Sequence, residues 1–251
     1  MKENILITGA ASGLGREVAL QFAEKGYYLA LVDLNLAALQ ALQTQLLTKY
    51  PDIQVEIESL NITDFDAVSQ VFDDLAKRMG GLNTVLANAG IDGGSNVGDA
   101  DNFSAIHKVI QVNLLGTIAC IDKAVSIFKK QGYGHIAVTS SLSAVRGMAG
   151  DGYAGYSASK SGVNRYMESL YAELMKAGLH KSITTATLMP GHIATDMVMK
   201  NDSFIISVPS AAKAMVSAIE ARQRNVVIKG NTWNIIRWLM PILPTKWLLS
   251  F

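Results

Sequence analysis

Short apolar runs alternate along the chain with longer stretches in which apolar residues return every three or four positions. Residues 4–8 form such a run. After it, Val18, Ala19, Phe22 and Ala23 fall on one side of a helical wheel and Glu17, Gln21 and Glu24 on the other. The first pattern fits a buried strand and the second an amphipathic helix. The same pair recurs to the end, with strands at 28–32, 53–59, 83–87, 135–140, 183–189 and 226–229. Helices are predicted at 36–49, 64–79, 103–130, 156–177 and 210–222, that at 156–177 with Val163, Met167, Leu170 and Leu174 on its apolar face. A loop rich in Gly, Asp and Asn occupies 92–102, and no internal repeat or low-complexity linker interrupts the order. Regular alternation of this kind predicts one α/β domain over residues 1–230, a doubly wound parallel sheet with helices on both faces.

Composition narrows the reading. At 251 residues the chain can bury a substantial core. Hydrophobic residues make up 49% and charged residues 17%, and the mean hydropathy is +0.23. Buried parallel strands, or a surface hidden by association, account for such an apolar balance. A formal charge of +1 gives no general pull on nucleic acid. The one cysteine, Cys120, excludes an intrachain disulfide and a cysteine-built zinc site, and it lies in an apolar helical pattern with Leu114, Ile118, Ile121 and Val125. The first residues run straight into a strand, leaving no room for a signal peptide, and no uninterrupted apolar run reaches the roughly 18 to 20 residues of a bilayer span. A cytoplasmic protein is expected. Residues 231–251 form an apolar tail that holds all three tryptophans. Pro241 and Pro244 break any helix there, so two readings stand: the tail covers a subunit interface or the substrate mouth, or it lies on a lipid surface as a peripheral contact.

Candidate chemistry begins at the first strand end. Thr8-Gly9-Ala10-Ala11-Ser12-Gly13-Leu14-Gly15 joins a strand to a helix. Glycines at such a junction let the backbone turn tightly and approach a pyrophosphate at the positive end of the helix, as in dinucleotide-binding units. Asp33 closes the next strand, where a carboxylate accepts hydrogen bonds from the adenosine ribose and repels a 2′-phosphate. Leu34 and Asn35 follow, and Ser12 is uncharged, so NAD is expected over NADP. The plainer role for Asp33 is N-cap of the following helix. Asn113 sits inside a helical pattern that disfavours asparagine, which points either to a specific task for its amide or to a buried polar anchor. Tyr156 and Lys160 stand four apart on a predicted helix and so share a face. A lysine cation beside a phenol favours the phenolate, and about 1.4 kcal/mol of such preference moves the titration by one pH unit.

In this order and spacing, Thr8-Gly9-x3-Gly13-x-Gly15, Asn88-Ala89-Gly90, Asn113, Ser141, Tyr156-x3-Lys160 and Pro190-Gly191 resemble the short-chain dehydrogenase/reductase family in its single-domain branch, over roughly residues 4–230. The resemblance implies a Rossmann-type sheet of seven parallel strands and a homodimer or homotetramer built around two long helices. It implies that Tyr156 is the general acid or base, that Lys160 lowers its pKa and holds the nicotinamide ribose, and that Ser141 binds the substrate oxygen. Asn113 would fix a water linking Lys160 to solvent. The dinucleotide would also meet Asn88, Ala89 and Gly90 near its ribose, Asn61 and Ile62 at its adenine, and Pro190, Gly191, Ile193 and Thr195 around the nicotinamide carboxamide. The chain departs from the family pattern in three places. Ser141 lies 15 residues before Tyr156, where the family spacing of 13 falls on Ser143. Strand context favours Ser141, and Ser143 stays open. Asn61 stands where the family commonly has aspartate. Tyr153 precedes Tyr156 by three residues but has Ser157, not lysine, at i+4, which makes it a pocket residue.

Met148, Tyr153, His192, Met197, Met199 and Phe204 are the candidate substrate lining, apolar and without an arginine to demand a carboxylate or phosphate. The expected function is an NAD(H)-dependent oxidoreductase that interconverts a secondary alcohol and a ketone, with a hydrophobic small molecule as substrate. The alternative is a non-catalytic dinucleotide sensor on the same fold, which would have no need of the Tyr156–Lys160 pair.

Overall fold

In a computed structural model, residues 2–94, 96–148, 150–191, 193–194 and 206–228 are described. The chain runs β1 (Asn4–Thr8), α1 (Gly13–Glu24), β2 (Tyr28–Asp33), α2 (Leu36–Lys49), β3 (Val55–Ser59), α3 (Phe65–Arg78), β4 (Thr84–Ala87) and α4 (Asn102–Ile110). A π-helical turn, Gln111–Gly116, leads from α4 into α5 (Thr117–Gln131). Then come β5 (Gly134–Thr139), a 3-10 turn (Leu142–Ala144), α6 (Tyr153–Lys176), β6 (Ile183–Pro190), the short strands β7 (Ile193–Ala194) and β8 (Ile206–Ser207), α7 (Val208–Glu220) and β9 (Asn225–Ile228).

Seven strands form one sheet in the order β3-β2-β1-β4-β5-β6-β9, every pair parallel. The chain winds outward from β1 to β3, returns to place β4 against the other side of β1, and winds outward again. The switch between β1 and β4 opens a crevice at the carboxyl ends of the strands, where ligands bind in such sheets. Period-two alternation within the strands feeds two cores. Ile5 and Ile7 face Val18, Phe22, Leu42 and Met215 on one side, while Leu6 and Val85 face Phe72, Leu75, Phe128 and Val163 on the other.

The predicted elements are all present, with their ends shifted by no more than three residues. One long predicted helix is interrupted, at the π-helical turn that contains Asn113. Another starts three residues early, so Tyr153 is its first residue. Asp33 does not cap α2: Asn35 does, with Oδ1 accepting from Ala38 N at 3.0 Å. Among the described residues, only the run Asn102–Gln131 is long and apolar enough to cross a membrane. It is seated on the sheet instead, through Cys120, Ile121, Ala124 and Phe128. Residues 229–251, and with them both readings of the tail, lie outside the described residues.

At the opposite end of the sheet from the crevice, His135, the second residue of β5, lies between Thr84 and Thr184. It is 1% exposed, and its Nδ1 meets Thr184 Oγ1 at 2.8 Å. Burial, helped by the Arg222 charge, pushes its pKa down to about 4. A histidine left neutral in the native state opposes folding in acid. Between pH 6.5 and 4 the unfolded chain takes up a proton that the folded chain refuses, so stability falls as pH falls through that window. Urea unfolding at pH 7 and 4.5 checks this. The wild type should lose about 2 to 3 kcal/mol more than His135→Leu over the interval, and equal losses would count against it.

Candidate active site

Three strand ends and one helix converge on the crevice. At the end of β1, Thr8 Oγ1 accepts from Asn88 N and Ala89 N, both at 3.0 Å, tying the glycine turn to the end of β4. Asn88 Nδ2 donates to Thr8 O at 3.1 Å and Gly9 O at 3.3 Å, and Asn88 Oδ1 accepts from Thr139 Oγ1 at 2.9 Å. One amide therefore joins β1, β4 and β5. Gly9 and Gly13 have φ of 67° and 52°, left-handed values that favour glycine. A Cβ on Gly15 would collide with the Gly9 carbonyl, whereas one on Gly13 would meet nothing within 4 Å. The turn is closed on its inner side and open on its outer side at the N-terminus of α1, which fits a pyrophosphate. Ser12 occupies the N-cap position of α1 without a side-chain cap bond, and Leu14 packs partly buried against the core.

Asp33 stands beside this turn. Its Oδ2 accepts from Ala11 N and its Oδ1 from Asn35 N, each at 3.0 Å, so the carboxylate is fixed by two backbone donors and keeps lone pairs for a ribose. Arg16, one residue beyond the turn, sends its guanidinium to Gln45 Oε1 at 2.7 Å. Next to β3, Asn61 is exposed, and its Oδ1 is engaged by Thr63 N at 3.1 Å and Thr63 Oγ1 at 2.9 Å. Ile62 is buried against Gly116. These two residues lie at the outer strand, away from Tyr156.

The other half of the crevice is set by α6. Ser161 Oγ donates to Ala144 O at 2.9 Å and Ser140 Oγ to Asn164 Oδ1 at 2.6 Å, so the helix is bound to the end of β5 and to the 3-10 turn after it. Lys160, 4% exposed, donates from Nζ to Thr139 O at 2.9 Å. Burial lowers its pKa to about 8. The Tyr156 phenol is hydrogen-bonded to the Ser141 side chain. Ser141 Oγ in turn accepts from Ser143 N and donates to Ser143 Oγ, both at 3.1 Å. Ser141 is thus on the phenol and the buried Ser143 stands behind it. Tyr153 meets the Tyr156 ring edge-on at 6.4 Å.

The direction of the Tyr156 pKa reverses the sequence expectation. Desolvation raises it above the ordinary tyrosine value, and the main opposing influence is the bond to Ser141. Lys160 does not offset the burial. Its ammonium is turned to Thr139 O and lies 5.7 Å from the centroid of the Tyr156 ring.

Asn113 is fully buried, and its side chain is committed: Oδ1 accepts from Ile91 N at 2.8 Å and Nδ2 donates to Ile91 O at 2.7 Å. The amide is a polar anchor for the loop after β4. Gly90 is pressed between the same groups, since a Cβ there would lie 3.2 Å from Asn113 Oδ1 and 3.4 Å from Lys160 Nζ. Pro190 ends β6, and Gly191 approaches Leu142 of the 3-10 turn. Ile193 follows in β7, and Met148 is partly buried beyond Ser141. His192, Thr195, Met197, Met199 and Phe204 lie outside the described residues. Sequence reasoning missed Thr139, whose carbonyl holds Lys160 while its hydroxyl holds Asn88. It also missed the Ile91 clamp.

The profile of the short chain dehydrogenase family matches residues 3–205. An uncharacterized oxidoreductase of Mycobacterium tuberculosis is 35% identical over 247 residues, 98% of this chain and 95% of that protein. Levodione reductase of Leifsonia aquatica is 31% identical over 194 residues, 77% of this chain and 70% of the reductase. A crystal structure of levodione reductase matches with a TM-score of 0.79 at 27% identity, over 90% of this chain and 95% of that one. A short chain dehydrogenase/reductase of Burkholderia phymatum in complex with NAD gives a TM-score of 0.80 at 20% identity, over 96% of this chain and 95% of that one, a likeness of fold alone.

Proposed function

Because the chain belongs to the short-chain dehydrogenase/reductase family, we propose that it interconverts a ketone and a secondary alcohol, with NAD(H) as the hydride carrier and Tyr156 as the proton carrier. The observation that carries this reading is the Tyr156 phenol bonded to Ser141, one helical turn from a buried lysine and across the crevice from an open glycine turn. Levodione reductase among the relatives supports a ketone as the substrate of the reductive direction.

The glycine turn and the N-terminus of α1 would hold the pyrophosphate, Asp33 the adenosine ribose, Asn61 and Ile62 the adenine, and Lys160 with Asn88 and Gly90 the nicotinamide side. Pro190, Gly191, Ile193 and Thr195 would hold the carboxamide. The bound dinucleotide supplies or accepts the hydride. In reduction, Ser141 donates a hydrogen bond to the substrate carbonyl oxygen, and Tyr156 passes its hydroxyl proton to that oxygen as it gains charge. In oxidation the same phenol takes the proton back. A raised pKa keeps Tyr156 protonated at neutral pH, the state required of the donor in reduction. With the Asn113 amide committed to Ile91, a relay from Lys160 to solvent would not use that side chain.

Association would use α5 and α6. Leu115, in the π-helical turn that leads into α5, is 39% exposed. A homodimer or homotetramer covers such a face.

A screen of alcohols and ketones with NAD(H) and NADP(H) in parallel, followed by nicotinamide absorbance, tests the reaction; tight NADH binding with no hydride transfer to any compound would favour the sensor. The NAD preference is tested with Asp33→Asn, which keeps an acceptor but removes the charge. The ratio of kcat/KM for NADP over NAD should rise by at least about tenfold, as expected for deleting one repulsive contact. An unchanged ratio would place the discrimination elsewhere.

A further inference from the structure

The loop after β4 presents a carboxylate that none of the roles above uses. Ile91 is gripped through both its N–H and its carbonyl by Asn113. Two residues later the backbone is gripped again. A Cβ on Gly152 would sit 2.6 Å from Gly93 O and 3.1 Å from Gly94 N, and one on Gly94 would sit 2.9 Å from Gly152 Cα. Gly152 immediately precedes α6, and its carbonyl accepts from Tyr156 N at 3.2 Å. Asp92 lies between these two grips, on a backbone held to the same helix turn that carries Tyr153 and Tyr156.

Asp92 is exposed, and no described residue hydrogen-bonds or ion-pairs with its side chain. Its charge nonetheless reaches the phenol and is one of the influences that raise the Tyr156 pKa. Other charged groups stand nearby among the described residues. Asp151, beside Gly152, is a second exposed carboxylate, and Arg146, beyond Ser141, already has a partner. An unpaired carboxylate on a fixed rim acts on whatever approaches the phenol, with water weakening its field only in part.

We propose that Asp92 selects substrates by charge, favouring ketones and alcohols that carry an ammonium group and turning away those that carry a carboxylate. This rests on the alcohol–ketone reading above and adds the polar feature that the substrate's far end must have. The partly buried Met148 and Tyr153 beside a negative rim suit an amino ketone.

The test uses three cyclohexanones that differ at the 4-position: dimethylamino, methyl and carboxylate. At low ionic strength the full chain should show kcat/KM at least about tenfold higher for the cation than for the anion, with the neutral compound between them. Asp92→Asn, which keeps size and hydrogen bonding, should bring the ratio of cation to anion to within about threefold. Salt near 0.5 M should shrink the wild-type ratio in the same direction. A purely structural role for Asp92 would scale all three compounds together and leave the ratio untouched, and that result overturns the proposal. If neither protein reduces any of the three, the alcohol–ketone reading fails on its own. Calorimetric dissociation constants for the same compounds, with NAD bound, then supply the ratio, and equal ratios in wild type and Asp92→Asn overturn the charge selection as well.

Discussion

Tyr156→Phe is expected to lower kcat by at least about a thousandfold while the dissociation constant for NADH stays within about twofold. The substitution is narrow. Phenylalanine keeps the ring that meets Tyr153 edge-on at 6.4 Å and lies under the Lys160 ammonium at 5.7 Å. It removes only the hydroxyl that is bonded to Ser141. Without it, the phenol on which Ser141 acts is gone, and Ser141 alone is too weak an acid at neutral pH. Steady-state turnover and a fluorescence titration with NADH, run on the same preparation, read the two quantities apart. Turnover that survives would remove the phenol from the mechanism. Binding that disappears would show the side chain to be a support for the cofactor.

The pKa direction sharpens this expectation. Read from spacing alone, the Tyr156–Lys160 pair is a phenol made acidic by a cation one turn away. Spacing gives a shared helix face but not where a flexible ammonium points. Here it points to Thr139 O at 2.9 Å, and burial decides the sign. The glycine turn, the strand–helix alternation and the order of the strand-end motifs were legible because each is a local or periodic signal. Asn113 was legible only as an oddity, since poor helix propensity marks the position without disclosing that its amide would close on Ile91, 22 residues earlier. Asp33 was placed correctly at a strand end, yet the cap of α2 belongs two residues on at Asn35, a difference that only backbone direction settles. Thr139 and Asp92 were invisible for the same reason. Their importance lies in contacts between elements that are distant in sequence, and nothing in either neighbourhood departs from an ordinary strand end or loop.

Lys160→Met should cost as much turnover as the loss of the phenol, at least about a thousandfold, and should also raise KM for NAD, yet it should not destabilise the fold. The sign follows from the pKa, which is about 8 in the folded chain against 10.5 for an exposed lysine. At pH 7 the unfolded chain holds that proton more tightly, so burying the ammonium opposes folding by about 3 kcal/mol. The opposition fades as pH rises from 8 towards 10.5, where the folded chain has already released the proton and the unfolded chain follows. Methionine fills much the same space and carries no charge, so it removes this cost. It also leaves Thr139 O without its donor, which takes back about 1 to 3 kcal/mol. The two effects nearly cancel, with the balance towards stabilisation, so Tm at pH 7 should be unchanged or a few degrees higher. Raising the pH to 9.5 should lower the variant relative to the wild type, because the wild type then no longer carries the buried charge. A variant that melts well below the wild type at pH 7 would mean that the ammonium holds β5 to α6, and that the cost of burying it is met by contacts other than Thr139.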